Sequence, residues 1–274
     1  MRHFPVSLAA AAVLACFSLV GCKRSEASAS PLKVAAAADL AFAFKDVGDA
    51  FEKKDGTKVT FSFGSTGLLA KQIAEGAPFD AFAAANVSYV DDVVKEGACF
   101  ADSKSLYAAG RITLWSKMGS PIAPKTLADL AQPGIAKIAI ANPDHAPYGR
   151  AAKQALQKAG VWDAVQPKIV YGENVQQTLQ FAQSGNVEVA IVALSLASVS
   201  DGVYVPIDGA LHDRIDQALV VCKGSAEAKG AMQPAARRFT AFVASPEGHA
   251  IMRRYGFMLP GEQIPAETAV RATP

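Results

Sequence analysis

Short aliphatic runs alternate with runs of helical period along most of this chain, and that alternation restricts the fold more than any other feature. Residues 32–38 read as a buried strand. Leu40, Phe44, Val47 and Phe51 then recur at spacings of four, three and four, one face of a helix that Gly56 ends. Asp39 stands where the N-cap of that helix is expected. Residues 58–63 alternate as a strand, a helix runs to about Glu75, and Gly76 stops it. A strand over 79–85 and a helix capped by Asn86 and ended at Gly97 complete a first unit. A second unit repeats the pattern, with strands over 111–115, 136–141, 168–171 and 187–193. A short helix is expected over 126–130, and longer ones over 150–159 and 174–184. The 136–141 run is almost purely aliphatic, hence central and buried on both faces. Strands that alternate with helices in this way form parallel sheets with crossover helices.

The alternation predicts two α/β lobes. Residues 218–222 can return the chain to the first sheet, so the crossings fall near 110 and 217. Lobe I then holds 32–109 and 218–259, and lobe II holds 110–217. A helix over 226–244, interrupted at Pro234, and another opened by Pro246 close the first lobe. Residues 260–274 carry prolines and no period, and are expected to drape over the surface or hang free.

Ligands of open α/β sheets sit outside the carboxyl ends of the strands. Four loops leave such ends, at 38–40, 63–67, 146–149 and 172–175, two on each lobe. Each precedes a helix and offers bare N–H groups and the positive end of a helix dipole. The run Phe63-Gly64-Ser65-Thr66-Gly67 makes an uncharged anion cradle, with two hydroxyls between two glycines. Taken alone, the same run is an ordinary Ser/Thr N-cap after a tight turn. Four such loops at corresponding places in two lobes point to an anion held between them. The formal net charge of +2 and the absence of a basic run with interleaved aromatics exclude a nucleic-acid surface.

The first residues read as a targeting segment. Arg2 and His3 precede an apolar run over 8–20 that is too short for a comfortable membrane span. Leu19-Val20-Gly21-Cys22 resembles the bacterial lipoprotein signal, which implies a signal peptide over 1–21 and lipidation of Cys22. A plain secretory signal with a chance cysteine is the alternative. Residues 22–31 are a polar tether that cannot bury enough apolar surface to fold. With Cys16 removed and Cys22 lipidated, Cys99 and Cys222 remain, either as a disulfide or as two buried thiols. No Cys-x-x-Cys occurs, and His145, His212 and His249 lie far apart, so no metal site is expected.

Several runs, in order and spacing, resemble one family. They are Val34-Ala-Ala-Ala-Ala-Asp-Leu40, Phe63-Gly-Ser-Thr-Gly-Leu-Leu-Ala-Lys-Gln-Ile73, Gly76-Ala-Pro-Phe-Asp80, Asn142-Pro-Asp-His-Ala-Pro-Tyr-Gly149, Glu173-Asn-Val175 and Arg254-Tyr-Gly-Phe257. Over residues 32 to about 258 the chain resembles the periplasmic substrate-binding proteins of molybdate ABC transporters. The resemblance implies a two-lobed periplasmic binding fold of type II, each lobe a mostly parallel sheet flanked by helices, with the ligand cleft between them. It implies no catalysis and no cofactor. A monomer would capture molybdate, and tungstate with it, by neutral hydrogen bonds and deliver it to a membrane permease. The place implied is the periplasmic side of the envelope, with a membrane anchor through Cys22. Carried over by motif, the contacts fall on Asp39 and Thr66, where the family often has Ser, with Ser65 as neighbour. Two further contacts fall on the loop at Tyr148 and the backbone at Val175.

Two departures stand out. A tyrosine hydroxyl of the better-known members falls on Ala193, which has none; Tyr148 either restores that donor or covers the cleft with its hydroxyl in water. Asp39, if ionised, has no donor to give and repels a dianion. Either it turns back to cap its own helix, or it is protonated in the closed cleft, or it marks another oxyanion or small anionic solute. An envelope hydrolase is the remaining alternative. Ser65 lacks a Gly-x-Ser-x-Gly elbow, and His145, the nearest candidate base, is expected to face solvent.

Overall fold

The structure is a computed structural model that describes residues 1, 30–224, 233–263 and 271–272. All but the first residue of the expected signal peptide and most of the expected tether, Cys22 included, lie outside the described residues, as do 225–232 and most of the tail.

The first sheet is built from β1 (Leu32–Ala37), β2 (Val59–Gly64), β3 (Ala81–Ala84) and β4 (Ser105–Gly110). β5 (Ile112–Lys117), β6 (Ile138–Ala141), β7 (Ile169–Gly172), β8 (Val189–Ala193) and β9 (Gly202–Pro206) build the second. β10 (Ile215–Val221) returns to the first sheet and β11 (Arg271–Ala272) to the second. The strand orders are β2-β1-β3-β10-β4 and β11-β9-β5-β8-β6-β7. Both sheets are mixed rather than mostly parallel. β1 pairs in parallel with β2 and β3, and β6 with β7 and β8, as crossover helices require. β10 runs antiparallel to β3 and β4, and β5 antiparallel to β8 and β9. The antiparallel strands are the ones next to the passages between sheets, where no crossover helix intervenes. Arg111 alone separates β4 from β5.

The helices are α1 (Ala43–Asp55), α2 (Thr66–Ala74), α3 (Val87–Lys95), α4 (Pro147–Lys158), α5 (Trp162–Val165), α6 (Val175–Gln183), α7 (Leu194–Ala197), α8 (Gln233–Val243) and α9 (Pro246–Arg254). α1 buries Phe44, Val47 and Phe51, the expected face. Phe51 meets Phe239 of α8 edge-on at 5.4 Å, and Phe44 meets Phe61 of β2 at 5.6 Å. Burying a large side chain of this kind stabilises by about 1.5–3 kcal/mol. One apolar cluster runs through both sheets, and a smaller one lies beneath α2 and α3. The smaller cluster includes Cys99 and Cys222, which form a disulfide. The choice left open between a bond and two thiols therefore falls to the bond.

Several elements depart from expectation. The helix expected over 126–130 is a 3-10 turn, Ala128–Ala131. β4 and β9 carried no strand signal: Ser105-Leu-Tyr-Ala-Ala-Gly110 is short and rich in small residues, and β9 is bounded by Gly202 and Pro206. The end of the tail does not hang free, because β11 pairs with Val203 and Tyr204 of β9. Among the described residues no helix is long and apolar enough to cross a membrane.

Candidate functional site

Three helices and one 3-10 turn start around a single pocket. β1 ends in the turn Ala38–Leu40, β2 leads to α2, the β6 loop leads to α4, and β7 leads to α6. The pocket is lined by the residues at those four starts together with Ala85. Asp39, Ser65, Thr66, Tyr148 and Val175 all line it, and no Lys, Arg or His does. The structure thus brings together every residue singled out as a ligand contact, from both sheets.

Local chemistry sets each start. Ser65 is extended at the N-cap of α2, and Pro147 occupies the first turn of α4, where a missing N–H costs nothing. Asn174 caps α6, its Oδ1 accepting from the N–H groups of Gln176 and Gln177 at 3.0 Å each. The N–H groups of Thr66, Tyr148 and Val175 take no partner among the described residues. Thr66 Oγ1 accepts from Ala85 N–H at 3.2 Å, which leaves the hydroxyl proton free to donate. Bare N–H groups at three helix starts, plus one hydroxyl proton, form a neutral donor set of the kind that binds anions.

Ser65 has a second role. Its hydroxyl donates to the His145 carbonyl at 2.8 Å, and its Oγ also lies 2.8 Å from His145 Nδ1. Gly67 N–H donates to the same carbonyl at 2.9 Å. His145 is therefore half-buried rather than free in solvent as expected, and it fastens the α2 start to the α4 loop across the cleft. The Ser–His pair resembles part of a hydrolytic dyad. The ring donates to no carboxylate among the described residues, so the partner that orients a catalytic base is not among them.

Asp39 is the largest departure. It does not cap α1: the 3-10 turn intervenes, α1 begins at Ala43, and neither start has a side-chain cap. Its carboxylate is buried instead, at 1% exposure. Oδ2 accepts from Tyr148 Oη at 2.8 Å and from Gln217 Nε2 at 2.6 Å. Gln217 Oε1 in turn accepts from Tyr107 Oη at 2.7 Å. Oδ1 is buried with no partner among the described residues. Burial raises the Asp39 pKa from 3.8 to about 6, against the bonds from Gln217 and Tyr148, which lower it. Burial also pushes both phenols well above their usual range, and the Asp39 charge adds to this. The Tyr148 hydroxyl is thus neither free in the cleft as a donor nor wet. It is given to Asp39, and Tyr148 lines the pocket.

Two residues went unread in the sequence. Gln217 lies inside β10, at a register shift between Gln217 and Ala218. A polar side chain next to Asp216 at the head of an apolar run was its only signal. Ser195, two residues beyond the hydroxyl-free Ala193, donates to the Asp39 carbonyl at 2.8 Å.

The sequence profile of the bacterial extracellular solute-binding proteins matches residues 32–258. The chain belongs to this family. Among curated relatives, the molybdate-binding protein ModA of Rhodobacter capsulatus is 34% identical over 94% of this chain and 99% of its own length. The molybdate-binding protein ModA of Azotobacter vinelandii is 35% identical over 85% of this chain and 92% of its own. The solved structure of the Azotobacter vinelandii periplasmic molybdate-binding protein superposes with a TM-score of 0.76 at 30% identity, covering 84% of this chain and 99% of that one. In this solute-binding protein, as the family's two-lobed fold requires, the pocket lies between the sheets, and each contributes donors.

Proposed function

We propose that this chain captures molybdate, and tungstate with it, and delivers the anion to the membrane permease of an ABC transporter without catalysis or cofactor. One observation carries the reading: N–H donors from three helix starts on two lobes converge with the Thr66 hydroxyl on a pocket lined by no cationic side chain. Thr66, Tyr148 and Val175 contribute N–H groups, Thr66 adds its hydroxyl, Ser65 fastens the lobes, and Asp39 contributes through its backbone or a protonated carboxyl. Neutral donors fit any tetrahedral dianion, so discrimination against sulfate rests on the size of the pocket. Membership of the solute-binding family and the molybdate-binding relatives support the reading.

Residues 32–109 with 218–259, and 110–217, act as the two lobes, and the monomer is held on the periplasmic side of the envelope through a lipid on Cys22. Calorimetry of the chain with molybdate, tungstate, sulfate and phosphate tests the reading. Molybdate at 100 times its dissociation constant should add about 2.7 kcal/mol of stability. Absence of molybdate and tungstate heats where another anion binds would sink it. Asp39 favours one alternative, a relative tuned to a different oxyanion, and the same panel separates the two.

A further inference from the structure

The two oxygens of Asp39 stand in different positions. Oδ2 is saturated, with donors from Tyr148 and Gln217. Oδ1 is buried without a partner among the described residues, and Asp39 lines the pocket. The other pocket groups left without a partner among the described residues, the N–H groups of Thr66, Tyr148 and Val175 and the Thr66 hydroxyl proton, are donors. An ionised carboxylate is an acceptor only, and a bare dianion is too. One proton changes this. Placed on Oδ1, it turns Asp39 into a further donor; placed on the anion, it gives Oδ1 a donor to accept. The two descriptions have the same composition.

We propose that the occupied site holds one proton between Asp39 Oδ1 and an oxygen of the bound anion, so that capture of a fully ionised tetrahedral anion takes one proton from solution. The proposal rests on the anion-binding reading above.

The surroundings of Asp39 leave few other groups to take that proton. β4 brings Tyr107 and α4 brings Tyr148, both held neutral by burial. The Asp39 turn packs against β2, α6 and α7, none of which contains an ionisable side chain. β10 presents the neutral amide of Gln217, and its Asp216 is turned to Arg214 at 2.6 Å. On α4, the Arg150 guanidinium lies over the Tyr89 ring at 5.1 Å. His145 is bound to Ser65 at the rim. In the empty site, with its pKa at about 6, Asp39 is ionised at neutral pH, so the proton must arrive with the anion.

The affinity should therefore fall about tenfold for each pH unit above the pKa of the empty site. Asp39→Asn should remove the dependence. Its amide oxygen can keep Tyr148 and Gln217, and its amide nitrogen can donate where the protonated Oδ1 would.

The test is titration calorimetry of the full chain with sodium molybdate in two buffers of different protonation heat. At about pH 8 the wild-type protein should take up close to one proton per anion, and Asp39→Asn none. Between about pH 7.5 and 9 the wild-type dissociation constant should rise about tenfold per unit while that of the variant stays flat. Equal heats in both buffers, with binding intact, would overturn the proposal and leave the anion-binding reading standing. Equal proton uptake by wild type and Asp39→Asn would overturn it too, since the proton would then sit elsewhere. Loss of molybdate binding by both proteins at every pH, with another anion bound, would remove the anion-binding reading and the proposal together.

Discussion

Ser65 and His145 meet across the cleft, with the serine hydroxyl donating to the histidine carbonyl at 2.8 Å and the ring nitrogen equally close. Gly67 shares that carbonyl, and its position is tight: a Cβ there would lie 2.8 Å from the His145 oxygen and 2.9 Å from Tyr89 Oη. Gly67→Ala should therefore obstruct closure without harming either lobe. Its expected signature is an anion affinity at least tenfold weaker, about 1.4 kcal/mol, with the melting temperature of the anion-free protein unchanged. Calorimetry and a thermal scan together check it; an equal loss in both would point to a folding defect.

Gly110 lies where the chain leaves the first sheet, and a Cβ there would come within 2.1 Å of Tyr148 Oη. Gly110→Ala should push the phenol off Asp39 and weaken anion binding. Tyr148→Phe deletes the nearer clashing atom, leaving Cζ at 2.8 Å, and also the bond to Asp39. The two changes should be non-additive, with the double variant better than the sum of the singles by about 0.5–3 kcal/mol. A double-mutant cycle on the dissociation constant measures this, and strict additivity would refute the coupling.

The Asn174 cap holds the start of α6, where Val175 lines the pocket. Asn174→Ala should cost about 1 kcal/mol of stability in urea denaturation. Anion affinity should drop with it, because the N–H groups of the first turn lose their fixed direction. A stability loss with full affinity would remove Val175 from the donor set.

Burial of Asp39 has a pH signature in the empty protein as well. Its folded pKa lies above the unfolded one, so the folded state holds the proton more tightly. The Asp39 contribution to stability is greatest at low pH, is lost as pH rises from 3.8 to about 6, and is level beyond. At 1.36 kcal/mol per pH unit the loss is about 3 kcal/mol. Asp39→Asn should thus be more stable than wild type by up to this amount at about pH 8, and the gap should close in acid. Asp80, raised by burial, and His212, lowered by burial, also titrate but cancel between the two proteins. Chemical denaturation at several pH values gives the comparison. A gap that does not change with pH would show that Asp39 pays no charge-burial cost.

The disulfide ties the loop after α3 to the last strand of the first sheet, at a sequence separation of 123 residues. Closing so long a loop restricts the unfolded chain, and replacing both cysteines by serine should cost about 2–5 kcal/mol. Reductant added to the wild-type protein should give the same shift. A wild-type protein indifferent to reductant under unfolding conditions would mean that the bond is not formed in solution.

The strands and helix stops were legible in the sequence because burial on both faces leaves aliphatic runs, and because residues such as Gly56 and Gly160 take left-handed φ values of 78° and 70°. The four loops were legible for the same reason: a helix start after a buried strand has one place to point. What the sequence hid was polar and long-range. Asp39 meets Gln217 across a separation of 178 residues, and Ser195 reaches the Asp39 carbonyl across 156. Neither pair follows from any local period. The expected cap at Asp39 failed because Ala37–Ala41 has room for a 3-10 turn, which moved the start of α1 three residues onward.

A door moves least beside its hinge. The Tyr148 hydroxyl lies against Gly110, one residue before the single-residue passage at Arg111, so swinging the lobes apart displaces it little. On geometric grounds its bond to Asp39 is among the last to stretch, and a half-open molecule trapped for crystallography should still have it. Release would then begin with the anion already unroofed, while the carboxylate that had shared its proton was still gripped from both sides.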